Sequence, residues 1–272
     1  MNRRALPGLP ITLGVTLTYL SLVVLIPLAG LFIRASGLGL GGFFDVLASH
    51  RVLHALQLSF GGALISAVIN AVFGSAITWT LVRYDFPGRR ILHSMIDLPF
   101  ALPTAVAGIA LTALYAPNGW LGAPLAKLGI TVAYTPLGVI LAMTFISLPF
   151  VVRTLEPVLE DFDKQYEEAA ATLGASRLKT IARIVFPALL PALLTGTALA
   201  FARAVGEYGS IIFIAGNLPN VSEIAPLLIM IRLEEFDYAG ATAIASAMLV
   251  LCFVVLLAIN LLQAWNRRMA SA

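Results

Sequence analysis

Arg203 and Glu207 stand four residues apart in an otherwise apolar run from 188 to 214 of this 272-residue sequence. A charge at the middle of a bilayer costs about 2.5–3.5 kcal/mol even on the lenient insertion scales, so such residues pair or face a wet path. A spacing of four puts both on one helical face, within reach of each other. Two roles fit the pair. It is either an ion pair bracing its helix against a neighbour, or a station on the path of an oxyanion. In the second role Arg203 attracts the anion and Glu207 limits how tightly it is held. Thr104 offers a hydroxyl in "DLPFALPTAVAG" (97–108). There Pro99 and Pro103 interrupt the helical ladder, and proline in a span is tolerated when neighbours or water satisfy the freed carbonyls. That stretch reads either as a kinked packing helix, with Asp97 near the headgroups, or as a pore-lining bend.

A second group lies in "EEAAATLGASRLKTIARIVFP" (167–187), where the chain turns charged, then small, then amphipathic. Asp161 and Asp163 suit a helix start, where carboxylates meet the positive end of the dipole. Tyr166, Ala169, Ala170 and Leu173 share one face. Gly174 suits the left-handed stop and Ser176 the N-cap of a second helix. That helix carries an apolar stripe of Leu178, Ile181 and Val185, with Arg177, Lys179 and Arg183 left for water or headgroups. A short helix with a rigid stop is a compact knob. It reads equally as a lever gripped by a partner or as a connector lying on the membrane.

These groups sit in a chain that is 60% hydrophobic and 11% charged, with a mean hydropathy of +0.94. Soluble domains are about 25% charged, so lipid is the solvent for most of this chain. A span needs about 20 apolar residues. Six stretches qualify, roughly 11–33, 55–82, 92–115, 136–159, 188–214 and 239–264. The first is too long for the apolar core of a secretory signal and reads as an uncleaved span. No barrel-like alternation is present, so the expected class is an all-α membrane protein of six transmembrane helices in one domain. With the N-terminus inside, twelve Lys and Arg fall in inner segments and four in outer ones, Arg203 completing the 17. That bias places both termini in the cytoplasm and the 160–187 loop on the same side. Outside, Pro117-Asn118-Gly119 signals a tight turn ahead of Trp120. The segment 222–238 reads as a short outer helix, either a surface-lying connector, or a lid over a pathway or a docking surface.

Several classes lose support. A net charge of +3 with scattered basic residues gives no nucleic-acid footprint. Cys252 alone forms no intrachain disulfide, and three peripheral histidines suggest no metal site. No cofactor is expected. The chain has no G-x-x-x-x-G-K-[ST] loop, so energy from ATP would have to come from another chain. An intramembrane hydrolase would need a nucleophile beside a base, and no histidine lies mid-span. An ion-coupled carrier usually shows paired inverted halves, which are not evident here.

Glu168-Ala169-Ala170, three residues, Gly174, nine residues and then Ile184-Val185-Phe186-Pro187 resemble the EAA loop of ABC-importer permeases, with Phe186 where that pattern usually has Leu. The likeness extends to "RYDFPGRR" (83–90), "PFVVRTLEPVLED" (149–161) and "RAVGEYGSIIFIAGNLP" (203–219), which look like the sulfate/thiosulfate permease group, near the molybdate permeases. "VSEIAPLLIMIRLEEFDYAGATAIA" (221–245) is most similar to its T-type subunit. The resemblance implies a type I, MetI-like permease fold in a bacterial inner membrane. It makes Glu168, Ala169, Ala170 and Gly174 the coupling contact with an ATPase. It also implies a W-type permease partner, two ATP-binding subunits and a periplasmic sulfate- or thiosulfate-binding protein. Molybdate or tungstate as cargo, and a homodimer instead of a heterodimer, stay open on the sequence.

Overall fold

The computed structural model describes residues 9–270, with side chains described as far as Leu261. Arg3 and Arg4 of the charge bias lie outside the described residues, as do the side chains of Arg267 and Arg268. Every regular element among the described residues is a helix. In chain order these are α1 Leu9–Ser36, α2 Gly39–Ala48, α3 His50–Arg83, α4 Arg89–Ile96, α5 Leu98–Ala101, α6 Thr104–Tyr115, α7 Gly122–Lys127, α8 Pro136–Asp161, α9 Gln165–Thr172, α10 Arg177–Val205, α11 Ile211–Ile214, α12 Ala225–Glu234 and α13 Tyr238–Ala270. Five of them, α1, α3, α8, α10 and α13, are long and apolar enough to cross a membrane.

The expected third span is laid out as α4, α5 and α6 instead of one rod. Pro103 excludes the α conformation from the residue before it. Leu102 accordingly takes φ −81° and ψ 135°, and α6 begins afresh at Thr104. The expected fifth span also ends early. Its helix stops at Val205, residues 206–210 turn, and Ile211–Ile214 continue as a separate short helix.

The core is built by α3, α8 and α10, with small residues where backbones approach. A Cβ on Gly74 would lie 2.9 Å from a methyl of Val151, and one on Gly196 would lie 3.1 Å from the Val151 Cα. Apolar surfaces have no hydrophobic reason to associate in lipid, so close packing and interhelical hydrogen bonds hold such helices together. Ser66 donates to the Ile140 carbonyl at 3.0 Å, and Asn70 donates to the Thr144 carbonyl at 3.0 Å and to Ser147 Oγ at 2.8 Å. These bonds stitch α3 to α8. The second half of α1 packs on α13, while its first half carries outward-facing apolar residues such as Ile11 and Val15.

The outer segment is packed into the bundle and is not a connector lying on the surface. Ala225, Leu227 and Leu228 of α12 are buried against α3 and α13. The Ala225 amide donates to Ser59 Oγ at 2.8 Å. Just before it, Glu223 receives both Arg51 Nε at 2.8 Å and Arg51 Nη2 at 2.7 Å, with its side chain sealed from solvent. Arg51, expected as a plain outer charge, therefore clamps this wedge to the start of α3.

Asn70→Ala removes two of the three side-chain donations from α3 to α8. It is expected to lower stability by about 0.5–2 kcal/mol, read as a lower melting temperature of the solubilised protein. Val72→Ala, on the outward face of the same helix, is expected to leave that temperature nearly unchanged.

Candidate functional site: a capped knob and a buried charge pair

The knob starts where α8 ends. Asp163 Oδ1 accepts from the Gln165 amide at 2.9 Å and starts α9, whereas Asp161 is the last residue of α8. The helix runs only to Thr172. Its end is closed by Ala175 N donating to Ala170 O and Gly174 N to Ala171 O, both at 3.0 Å, the paired bonds of a Schellman stop. Gly174 sits at φ +78°. A Cβ there would meet nothing within 4 Å, so backbone conformation alone demands glycine. Ser176 then caps the next turn, accepting from the Lys179 amide at 3.4 Å.

The expected apolar face is presented outward. Ala170 is buried, but Glu168 and Ala169 are exposed, as are Tyr166, Leu173 at 88% and Leu178 at 81%. Val185 is buried and Ile181 half-buried, so the second stripe packs only at its far end. Leucines this exposed, carried on a charged loop, form a surface that nothing among the described residues covers.

Arg83 ties the knob to the bundle, and the sequence reading did not single it out. From the end of α3 it donates through Nη2 to the Phe162 carbonyl at 3.1 Å and pairs with Glu167 at 2.9 Å. Its side chain is buried and lies over the Trp79 ring, 5.7 Å from the centroid. Arg83 opens the "RYDFPGRR" stretch, which gave it no special mark because its partner is 84 positions away.

A second charged group was also missed. Arg153 of α8 grips Asp97 with both Nε, at 2.9 Å, and Nη2, and donates Nη1 to Glu156 at 2.6 Å. His93 Nε2 lies 2.7 Å from the other Glu156 oxygen. Asp97 is therefore an ion-pair partner and not merely a headgroup neighbour, and His93 is tied in. The available signal was that Arg153 and Glu156 are three apart in an apolar helix, which asks for matching charge on a neighbour. Among the described residues no group of His, Cys, Asp and Glu is arranged to hold a metal ion.

Arg203 and Glu207 do pair, Nη1 to Oε2 at 2.5 Å, but not along one continuous helix. Glu207 lies in the turn after α10. Its other oxygen accepts from the Ser210 amide at 2.8 Å and the Ser210 hydroxyl at 2.9 Å. Glu207 is thus fully occupied and 2% exposed, while the Arg203 side chain stays 32% exposed with donors to spare.

Two glycines bring Thr104 to the same place. A Cβ on Gly209 would fall 2.1 Å from Thr104 Oγ1, and one on Gly108 would fall 2.3 Å from the Ser210 carbonyl oxygen. The α6 segment and the 206–210 turn are therefore in backbone contact. Thr104 is half-buried at the start of α6, directly after the Pro103 break. The structure thus gathers Thr104, Arg203 and Glu207 around one turn.

A sequence profile described as "Binding-protein-dependent transport system inner membrane component" matches residues 71–268, taking in the knob and this turn. The chain belongs to that family. It is a multi-pass inner-membrane component with the MetI-like fold of ABC-importer permeases. Among similar proteins is the "Probable sulfate transport system permease protein cysT" of Nephroselmis olivacea, 49% identical over 94% of this chain and 90% of its own length. The "Sulfate transport system permease protein CysT" of Escherichia coli (strain K12) is 46% identical over 96% of this chain and 95% of its own. Among solved structures, a bacterial ABC transporter that imports the acidic polysaccharide alginate superposes with a TM-score of 0.75 at 16% identity, over 96% of this chain and 95% of that one. The MetNI methionine ABC transporter gives 0.60 at 13% identity, over 79% and 95%. At such identities the structures speak for the fold alone.

Gly108→Ala would drive a methyl into the Ser210 backbone and is expected to lower the melting temperature clearly. Gly61→Ala meets nothing within 4 Å. It is expected to hold or raise that temperature, since alanine is the better helix former by about 1 kcal/mol.

Proposed function

We propose that this chain is a permease subunit of an ATP-driven importer of sulfate or thiosulfate, supplying the path and the lever while a partner chain hydrolyses ATP. The whole chain acts as one transmembrane domain, with both termini and the α9 knob in the cytoplasm. The observation that carries this reading is the outward-facing knob with its rigid Gly174 stop, joined at both ends to long spans and by Arg83 to a third. Identities of 46–49% to proteins named as sulfate permeases support the cargo. The alginate importer solved with its periplasmic protein supports partnership with a soluble binding protein.

In this reading Glu168, Ala169 and Gly174 seat in an ATP-binding subunit, one of two, with Ala170 buried beneath them. A W-type permease completes the path, and a periplasmic protein delivers the anion. ATP closes the ATPase pair, the knobs converge, and the spans rock from inward-open to outward-open. Hydrolysis resets them. Motion leaves α9 by three routes: back along α8, across Arg83 to α3, and forward along α10. The last of these is about 39 Å long at 1.5 Å per residue and ends at Arg203.

There a divalent oxyanion meets the exposed edge of Arg203. Glu207 keeps that arginine partly neutralised, so the anion is attracted without being trapped. Thr104 adds a hydroxyl where α6 restarts. Pairing of Arg203 with Glu207 also braces the turn, so both roles open on the sequence are served by one contact.

Proline fixes φ near −65°, so Gly174→Pro destroys the stop at φ +78°. It is expected to abolish co-purification of an ATPase subunit and uptake of labelled sulfate together. Retained co-purification would overturn the lever. Arg203→Gln is expected to reduce sulfate uptake at least tenfold in an assembled complex with a normal ATPase content. Arg203→Lys should keep part of it. Unchanged uptake in Arg203→Gln removes Arg203 from the path and leaves the lever untouched.

A further inference from the structure

At the knob end of the bundle a cavity of about 220 Å³ opens between α3, α8 and the first turns of α10. Its walls are almost wholly apolar, with Trp79, Leu155, Ile181, Val185, Leu189 and Leu193 among them. Ile181 and Val185 are the two ends of a π turn, Ile181–Val185, set into α10. Such turns are rare and concentrate at functional places. Phe186, also in the lining, is about half exposed, so the cavity opens to the apolar surface of the bundle.

One helical turn nearer the knob, on the face that carries Ile181, stands Arg177. It is exposed and makes no ion pair among the described residues. Arg83 holds the matching position on α3, four residues after Trp79, but is already committed to Glu167. A narrow apolar slot with a free cation just past its end is complementary to a phospholipid. The slot is too small for a protein helix, which is about 10–12 Å across with its side chains.

We propose that an anionic phospholipid of the leaflet on the knob side seats one acyl chain in this slot and places its phosphate against Arg177. The apolar lining takes the chain and the arginine takes the charge. A chain seated there props the π turn, through which movement of α9 passes along the chain to the rest of α10. That last consequence rests on the lever reading; the lipid site itself does not.

The test uses the full-length protein, in the assembly in which it is extracted from membranes, placed in lipid nanodiscs. Two probes each carry a photoreactive diazirine midway along one acyl chain. One is phosphatidylglycerol, and the other is diacylglycerol, which lacks phosphate. Adducts are mapped by mass spectrometry of peptides. Phosphatidylglycerol adducts are expected on Trp79 and residues 181–193 at threefold or more their level on residues 9–20. Arg177→Glu should lower them at least threefold while leaving diacylglycerol adducts unchanged. Leu189→Trp, which fills the slot, should lower both. The gentler Leu193→Phe serves if the first variant melts early. Equal labelling of α1 and the slot overturns the proposal, as does indifference to Arg177→Glu. So does a slot that is silent in the intact assembly but labelled in the isolated chain, which would mean that another protein covers it.

Discussion

A carboxylate removed from water persists only beside its counter-charge, and three glutamates in this bundle set its geometry. Glu207, Glu223 and Glu156 are buried, and each is met by an arginine: Arg203, Arg51 and Arg153. Such pairs add little net stability, because desolvation consumes much of the attraction. Their influence lies in what they forbid. Withdrawing one partner strands a charge in a medium that does not solvate it, at about 3–5 kcal/mol. The α12 wedge is thereby held at the start of α3, the α4–α5 corner on α8, and the end of α10 on its own following turn.

Between these fixed points the packing is close. Gly62, Gly74 and Gly196 admit neighbouring side chains or backbone, and Gly108 and Gly209 lock α6 to the 206–210 turn. By contrast, the chain is interrupted where motion would have to be absorbed, at Leu102–Pro103, at the Ile181–Val185 π turn and past Val205. Rigid contacts joined by few breaks make a body that rocks in pieces instead of bending smoothly. An importer that must expose a path first to one side and then to the other has use for such a body.

The fold survives at 13–16% identity in transporters of alginate and methionine. What they share with this chain is the fold. The partly exposed Arg203 beside a neutralising Glu207 is the place we propose for an oxyanion to pass.

Much of this was written locally. Long apolar runs dictate helices because lipid leaves the backbone no other partner. Gly174 and Ser176 announce a stop and a start through contacts within five residues, and Arg203 and Glu207 find each other across four. Even the break at Pro103 is a nearest-neighbour effect. What the tertiary structure decided involves distant partners: Arg83 with Glu167, Arg153 with Asp97 and His93, Arg51 with Glu223, and the burial of α12. It also decided that the turn after Val205 lies against α6, where Gly108 admits the Ser210 backbone and Gly209 admits Thr104. Local rules act through bonds the chain makes with itself over one turn, and the sequence spells those out. Pairing across the bundle depends on which faces meet, and that is settled only when the helices pack.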